Sequence, residues 1–227
     1  MASFPFDIVG FDLDGTLADT APDLTAALNH ALVTLGRDPV PAPSVRTMVG
    51  HGARALLAKG LSATGEYREE LVDQGFPIFL EYYTAHIADD SRPFDGVEAA
   101  LDVLAARGVR VAICTNKLEH LARRFVSAIG WDGRFAAIVG GDSTPSSKPN
   151  PEPLLAMIEQ AGGGRTAFVG DSISDTGAAL AAGLPCVALT FGFRDRPAEE
   201  LGADALIDHF DQLIPALERL ALDRPGS

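Results

Sequence analysis

Apolar residues fall into two kinds of pattern along the chain. Short unbroken runs occur at 8–11, 109–114, 166–169 and 186–189, with a weaker one at 137–139. Runs of this length, bounded by polar or glycine-containing segments, predict strands buried on both faces. Between them apolar positions recur at helical spacing. Val97, Leu101 and Leu104 precede Gly108, and further helices are predicted over 118–129, 153–160 and 175–182, the last followed by Gly183 and Pro185. Strand–helix alternation of this kind predicts an α/β fold whose parallel sheet is covered by helices on both faces.

One stretch departs from the alternation. From 21 to 90 only helical patterns occur: Leu24, Leu28, Leu32 and Leu35 form a stripe closed by Gly36, and a second long helix is predicted over 67–84. The stretch reads as an all-helical domain inserted after the first strand. Pro93 and Gly96 mark its exit. The expected organisation is a core made of 1–17 and 92–227, with 18–91 as the helical insertion.

Composition narrows the function classes. With 47% hydrophobic residues the chain has the makings of a folded globular protein. No apolar run approaches the roughly 18 residues of a membrane span, and the first residues lack the basic region of a secretory signal. A cytoplasmic protein with no membrane partner is expected. Cys114 and Cys186 lie in separate apolar runs and read as buried thiols. A net charge of −13 argues against nucleic acid, which requires a basic face. An acidic protein that handles an anion must supply positive charge locally, through a metal ion and a placed lysine.

The candidate chemistry gathers at strand ends. Asp12 and Asp14 end the first strand, Thr115 and Asn116 the second, and Asp171 the run at 166–169, while Lys148 stands before a helix. In parallel sheets ligands bind beyond the carboxyl ends of the strands. Residues i and i+2 of an extended chain point to one side, so Asp12 and Asp14 can share a pocket. There Asp12 can act as nucleophile and Asp14 as general acid and base. Mg²⁺ prefers oxygen ligands, and Asp12, Asp171 and a main-chain carbonyl suit it. Thr115 can donate to a phosphate oxygen, and Lys148 can offset charge on nucleophile and phosphoryl group. A non-enzymatic phospho-receiver uses similar residues, but it is expected as one compact domain without a long helical insertion.

Taken together, Asp12-Leu13-Asp14-Gly15-Thr16, Thr115-Asn116, Lys148-Pro149 and Gly170-Asp171-Ser172-Ile173-Ser174-Asp175 resemble the four motifs of the haloacid dehalogenase superfamily of phosphohydrolases. The resemblance implies a Rossmann-like core with a helical cap after the first motif. It also implies an aspartyl-phosphate on Asp12 and phosphate binding by Thr115, Asn116 and Lys148. Mg²⁺ would be held by Asp12, the main-chain carbonyl of Asp14 and Asp171, with Asp175 behind them. Ala21-Pro22-Asp23-Leu24, Val49-Gly50-His51-Gly52-Ala53, Gly140-Gly141-Asp142-Ser143 and Phe191-Gly192-Phe193 are similar to segments of bacterial phosphoglycolate phosphatases. That likeness makes phosphoglycolate, a small phosphate ester, the expected substrate of a monomer or homodimer. A pyrophosphatase or a broader sugar-phosphate phosphatase would keep the same core. A phosphomutase shares both aspartates, although Thr16 favours a phosphatase. Among cap residues, His51 in its glycine-flanked loop and Arg54, whose guanidinium fits a carboxylate, are the candidates for substrate specificity.

Overall fold

A computed structural model of the chain describes residues 4–194 and 196–223. The chain runs through β1 (Ile8–Phe11), β2 (Ala18–Asp19), α1 (Ala21–Thr34), α2 (Ala42–Arg46), α3 (Ala53–Ala63) and α4 (Glu69–Ala85). It continues through β3 (Arg92–Pro93), α5 (Val97–Ala106), β4 (Arg110–Cys114), α6 (Glu119–Ala128) and β5 (Ala137–Val139). The last part holds α7 (Glu152–Gln160), β6 (Thr166–Gly170), α8 (Ile173–Ala181), β7 (Cys186–Leu189), β8 (Ala205–Ile207) and α9 (Leu213–Asp223).

The five expected strands all form, and a sixth, β8, extends the sheet. Its order is β5-β4-β1-β6-β7-β8 with every pairing parallel, a Rossmann-like arrangement. Because successive strand residues face opposite sides, the apolar runs feed two separate cores. Val9, Phe11, Val111, Ile113, Ala167 and Val169 belong to one, and Ile8, Ala112, Cys114 and Phe168 to the other. β1 lies between β4 and β6, with the chain passing to either side of it. The crevice at such a switch point opens at the carboxyl end of β1.

Two expectations need adjustment. The segments expected as plain exits of the insertion pair with each other as an antiparallel ribbon, Ala18 opposite Pro93 and Asp19 opposite Arg92. The helix expected from 175 begins at Ile173, because Ser172 caps it in a reciprocal box with Asp175.

The helical block α1–α4 has its own packing logic. Gly60 and Gly75 let helices approach closely: a Cβ on Gly60 would meet Leu28 Cδ1 at 2.8 Å, and one on Gly75 would meet Leu35 Cδ1 at 2.8 Å. The leucine stripe of α1 is thereby buried, with Leu28 and Leu32 fully excluded from solvent. Asp23, in the first turn of α1, accepts hydrogen bonds from the Asp90 and Ser91 amides and from Ser91 Oγ. The start of the block is thus tied to its return. No helix among the described residues is long and apolar enough to cross a membrane.

Candidate active site

The turn after β1 positions the two aspartates. The Asp12 amide extends the ladder by donating to the Val169 carbonyl, 2.9 Å, and the chain then folds back as Leu17 and Ala18 donate to the Leu13 carbonyl at 3.0 and 3.1 Å. Gly15 takes φ +86°, and a side chain there would collide with the Asp171 carboxylate. Asp12, Asp14, Thr115 and Asn116 consequently line one cavity of about 30 Å³. Leu24, Val49, Leu56 and Phe79 from the helical block supply apolar wall.

Behind Asp12 lies a buried carboxylate cluster. Ligand oxygens of Asp12, Asp171 and Asp175 lie within 4.8 Å of one another. Lys148 Nζ sits 3.1 Å from Asp12 Oδ1 and 2.6 Å from Asp175 Oδ1, and it also donates to the Cys114 carbonyl at 2.7 Å. Asp175 Oδ2 accepts from the Asp171 and Ser172 amides and the Ser172 hydroxyl, so both its oxygens are engaged. Asp171 accepts from Thr16 Oγ1 at 2.8 Å and from the Phe193 amide.

The electrostatics follow from burial. Loss of water pushes the Asp12 carboxyl up to about 6; Asp175 and Asp14 add to the rise and Lys148 opposes it. Asp171 is raised well above the usual carboxylate range, by burial first and then by Asp175 and Asp12. Burial works against the charge on Lys148, but Asp12 and Asp175 outweigh it and its pKa rises. Of the three clustered carboxylates two, Asp12 and Asp175, contact the Lys148 ammonium, and Asp12 Oδ1, although beside Lys148, completes no hydrogen bond. An all-oxygen, acid-rich, buried donor set of this kind fits a hard divalent cation.

The other expected site residues are placed as follows. Thr115 Oγ1 accepts from the Lys117 amide at 3.3 Å, leaving its proton for another acceptor. The Asn116 carboxamide bridges main chain: it donates to the Gly50 and Lys148 carbonyls at 2.9 and 3.1 Å and accepts from the Lys148 amide at 3.0 Å. His51 is exposed, with Nδ1 3.3 Å from Ser174 Oγ. Arg54 is not part of the cavity wall; its guanidinium pairs with Glu69 at 3.2 Å and Asp73 at 2.5 Å on the surface and lies over the Phe76 ring.

Sequence reasoning missed Lys117 and Tyr83. Lys117 lines the cavity and holds both Asp14 oxygens at 2.7 and 2.8 Å, while Thr20 Oγ1 donates to Asp14 Oδ1 at 2.7 Å. Its ammonium stands 4.8 Å from the centre of the Tyr83 ring. The signal for Lys117 was its place directly after Thr115-Asn116. Tyr83 carried none beyond its helical stripe.

An acid pair at the end of β1, a buried lysine and a carboxylate cluster at the switch point define a hydrolase site of one class. The profile of the haloacid dehalogenase-like hydrolases matches residues 6–183, and the chain belongs to that family. It is 42% identical to the phosphoglycolate phosphatase of Caulobacter vibrioides, over 89% of this chain and 86% of that one. Identity is also 42% to the phosphoglycolate phosphatase of Mesorhizobium japonicum, over 94% and 96% of the two chains. A crystal structure of a predicted phosphoglycolate phosphatase from Haemophilus somnus superposes with a TM-score of 0.87 at 31% identity, covering 93% of this chain and 97% of that one.

Proposed function

We propose that the protein is a Mg²⁺-dependent phosphatase that hydrolyses 2-phosphoglycolate to glycolate and phosphate. The observation that carries this reading is the pair Asp12 and Asp14 facing one small cavity, with Lys148 and a buried carboxylate cluster behind Asp12. The names of the relatives at 42% identity support the substrate.

In the first step an Asp12 carboxylate oxygen attacks phosphorus. The bond to the leaving oxygen breaks, and Asp14 gives that oxygen a proton. In the second, Asp14 takes a proton from water, whose oxygen attacks the phosphorus of the aspartyl-phosphate and restores Asp12. Thr115 donates to a phosphate oxygen, Asn116 contributes through its main chain, and Lys148 balances charge beside the nucleophile. Asp12, Asp171 and the Asp14 carbonyl would hold Mg²⁺, with Asp175 fixing the lysine and the Asp171 loop. The bound ion offsets the negative charge of carboxylates and phosphate.

Residues 18–91 serve as a cap over this cavity in a cytoplasmic enzyme. The Gly50-His51-Gly52 loop rests on the core through Asn116 and Ser174 and limits the size of the leaving group. Arg54, paired with Glu69 and Asp73 outside the cavity wall, would have to exchange those partners to meet a substrate carboxylate.

The test is phosphate release from 2-phosphoglycolate, pyrophosphate, hexose phosphates and an aryl phosphate, with Mg²⁺ and with chelator. A kcat/KM for phosphoglycolate well above the others, lost on chelation, is expected. Comparable rates across the panel would reject the substrate, and activity indifferent to chelation would reject the metal.

A further inference from the structure

Within the cavity, Lys117 and Tyr83 are polar groups that the phosphoryl chemistry leaves unused. We propose that they form the receptor for the carboxylate of the leaving group, and that Asp14 occupies this receptor while substrate is absent. The proposal rests on the phosphatase reading and adds how a glycolate ester is told from an uncharged one.

Two independent observations converge on this corner. The Lys117 side chain is 3% exposed, yet its ammonium lines the cavity and has a carboxylate, Asp14, across it at 2.7 and 2.8 Å. The Tyr83 hydroxyl, in a residue 1% exposed, has no acceptor for its proton; the neighbouring Lys117 ammonium is itself a donor. Buried hydroxyls are rarely left so. The ammonium lies over the Tyr83 ring, so cation and unsatisfied donor share one place. A carboxylate has the lone pairs to accept from both.

The surroundings favour the same occupant. Leu24, Val49, Leu56 and Phe79 make the wall from the helical block apolar, and among the described lining residues Lys117 is the one cation that can compensate a second anionic group of the substrate. The cavity is small, about 30 Å³, so a group bound beyond the phosphate lies close to Lys117. Lys117 is already desolvated and fixed, so an incoming carboxylate meets an ordered partner. Exchange at the ammonium releases Asp14 toward the leaving oxygen while Thr20 still holds it.

The experiment compares kcat/KM for 2-phosphoglycolate and for 2-hydroxyethyl phosphate, its uncharged analogue, in wild type, Lys117→Met and Tyr83→Phe. Wild type should prefer the carboxylate substrate. Lys117→Met should shrink that preference by roughly 10- to 100-fold, and Tyr83→Phe by roughly 3- to 10-fold, as expected for hydrogen bonds to a charged group. The change should fall mainly on KM for phosphoglycolate. If Lys117 only braces the fold or Asp14, both substrates lose equally and the preference survives, which would overturn the receptor. A wild type without preference would overturn it too while leaving the phosphatase in place, whereas a folded wild type that hydrolyses neither ester would overturn the phosphatase reading itself. Tyr83→Phe changes one atom, and competition by glycolate against ethylene glycol in wild type needs no variant. Equal, weak inhibition by the two would count against the receptor.

Discussion

Asp12 is 5% exposed and sits among carboxylates, so its ionisation depends on compensation by its neighbours. Lys148 supplies part of it, and a divalent cation would supply the rest. An amide in place of the Asp12 carboxylate would be a poor nucleophile and a poor cation ligand, which removes both roles proposed for it. Asp12→Asn should lower kcat by at least about 10³-fold, the scale on which loss of a nucleophile is felt, while circular dichroism stays that of wild type. Retained turnover would exclude Asp12 as nucleophile. Asp12, Asp14, Thr115 and Asp171 could be proposed for these roles from sequence because each follows apolar positions at a strand end, and Lys148 because it stands before a helix. Lys117 could not: a lysine after a strand looks the same in sequence whether it faces water or an aspartate. Only the paired distances to Asp14 separate the two.

At the scale of elements, the helical block owes its position to short connections that the sequence hardly advertises. The β2–β3 ribbon is two residues to a strand, too short for any periodicity, and β8 is three. Long elements such as α4 and β4 were predicted within a few residues because their patterns extend over several turns or one full buried run. Asp23 shows how such connections are held. It gathers two amides and a hydroxyl from the returning segment into a buried site. Asp23→Ala would leave the two buried Ser91 donors without an acceptor and should cost about 2–6 kcal/mol, given about 1–3 for each buried group left unsatisfied. Urea denaturation measures this, and a loss below about 0.5 kcal/mol would mean that water replaces the carboxylate at no cost.

For the whole molecule, the buried acid cluster links stability to pH and to metal. Asp12 rises from 3.8 to about 6 on folding, and Asp171 also rises. A raised folded pKa contributes stability in full below the unfolded value and loses it as pH climbs through the folded one. Metal-free protein should therefore lose this contribution between about pH 4 and pH 6, as read by thermal melts in chelator. Added Mg²⁺ should raise Tm, more at pH 7.5 than at pH 5, because a cation binds the ionised cluster best. An equal rise at both values would disconnect the metal from these carboxylates. The overall charge of −13 makes the same point at larger scale: positive charge is placed locally, with Lys117 against Asp14 and Lys148 against Asp12 and Asp175.

The central claim is covalent catalysis at Asp12, and trapping the intermediate tests it most directly. Protein mixed with 2-phosphoglycolate and Mg²⁺ is quenched in acid within a turnover, reduced with borohydride and digested for mass spectrometry. An acyl phosphate is reduced to homoserine, whereas a free aspartate is not. Homoserine at position 12, absent without substrate and absent in Asp12→Asn, is the predicted result. Turnover accompanied by homoserine at another aspartate would contradict the account.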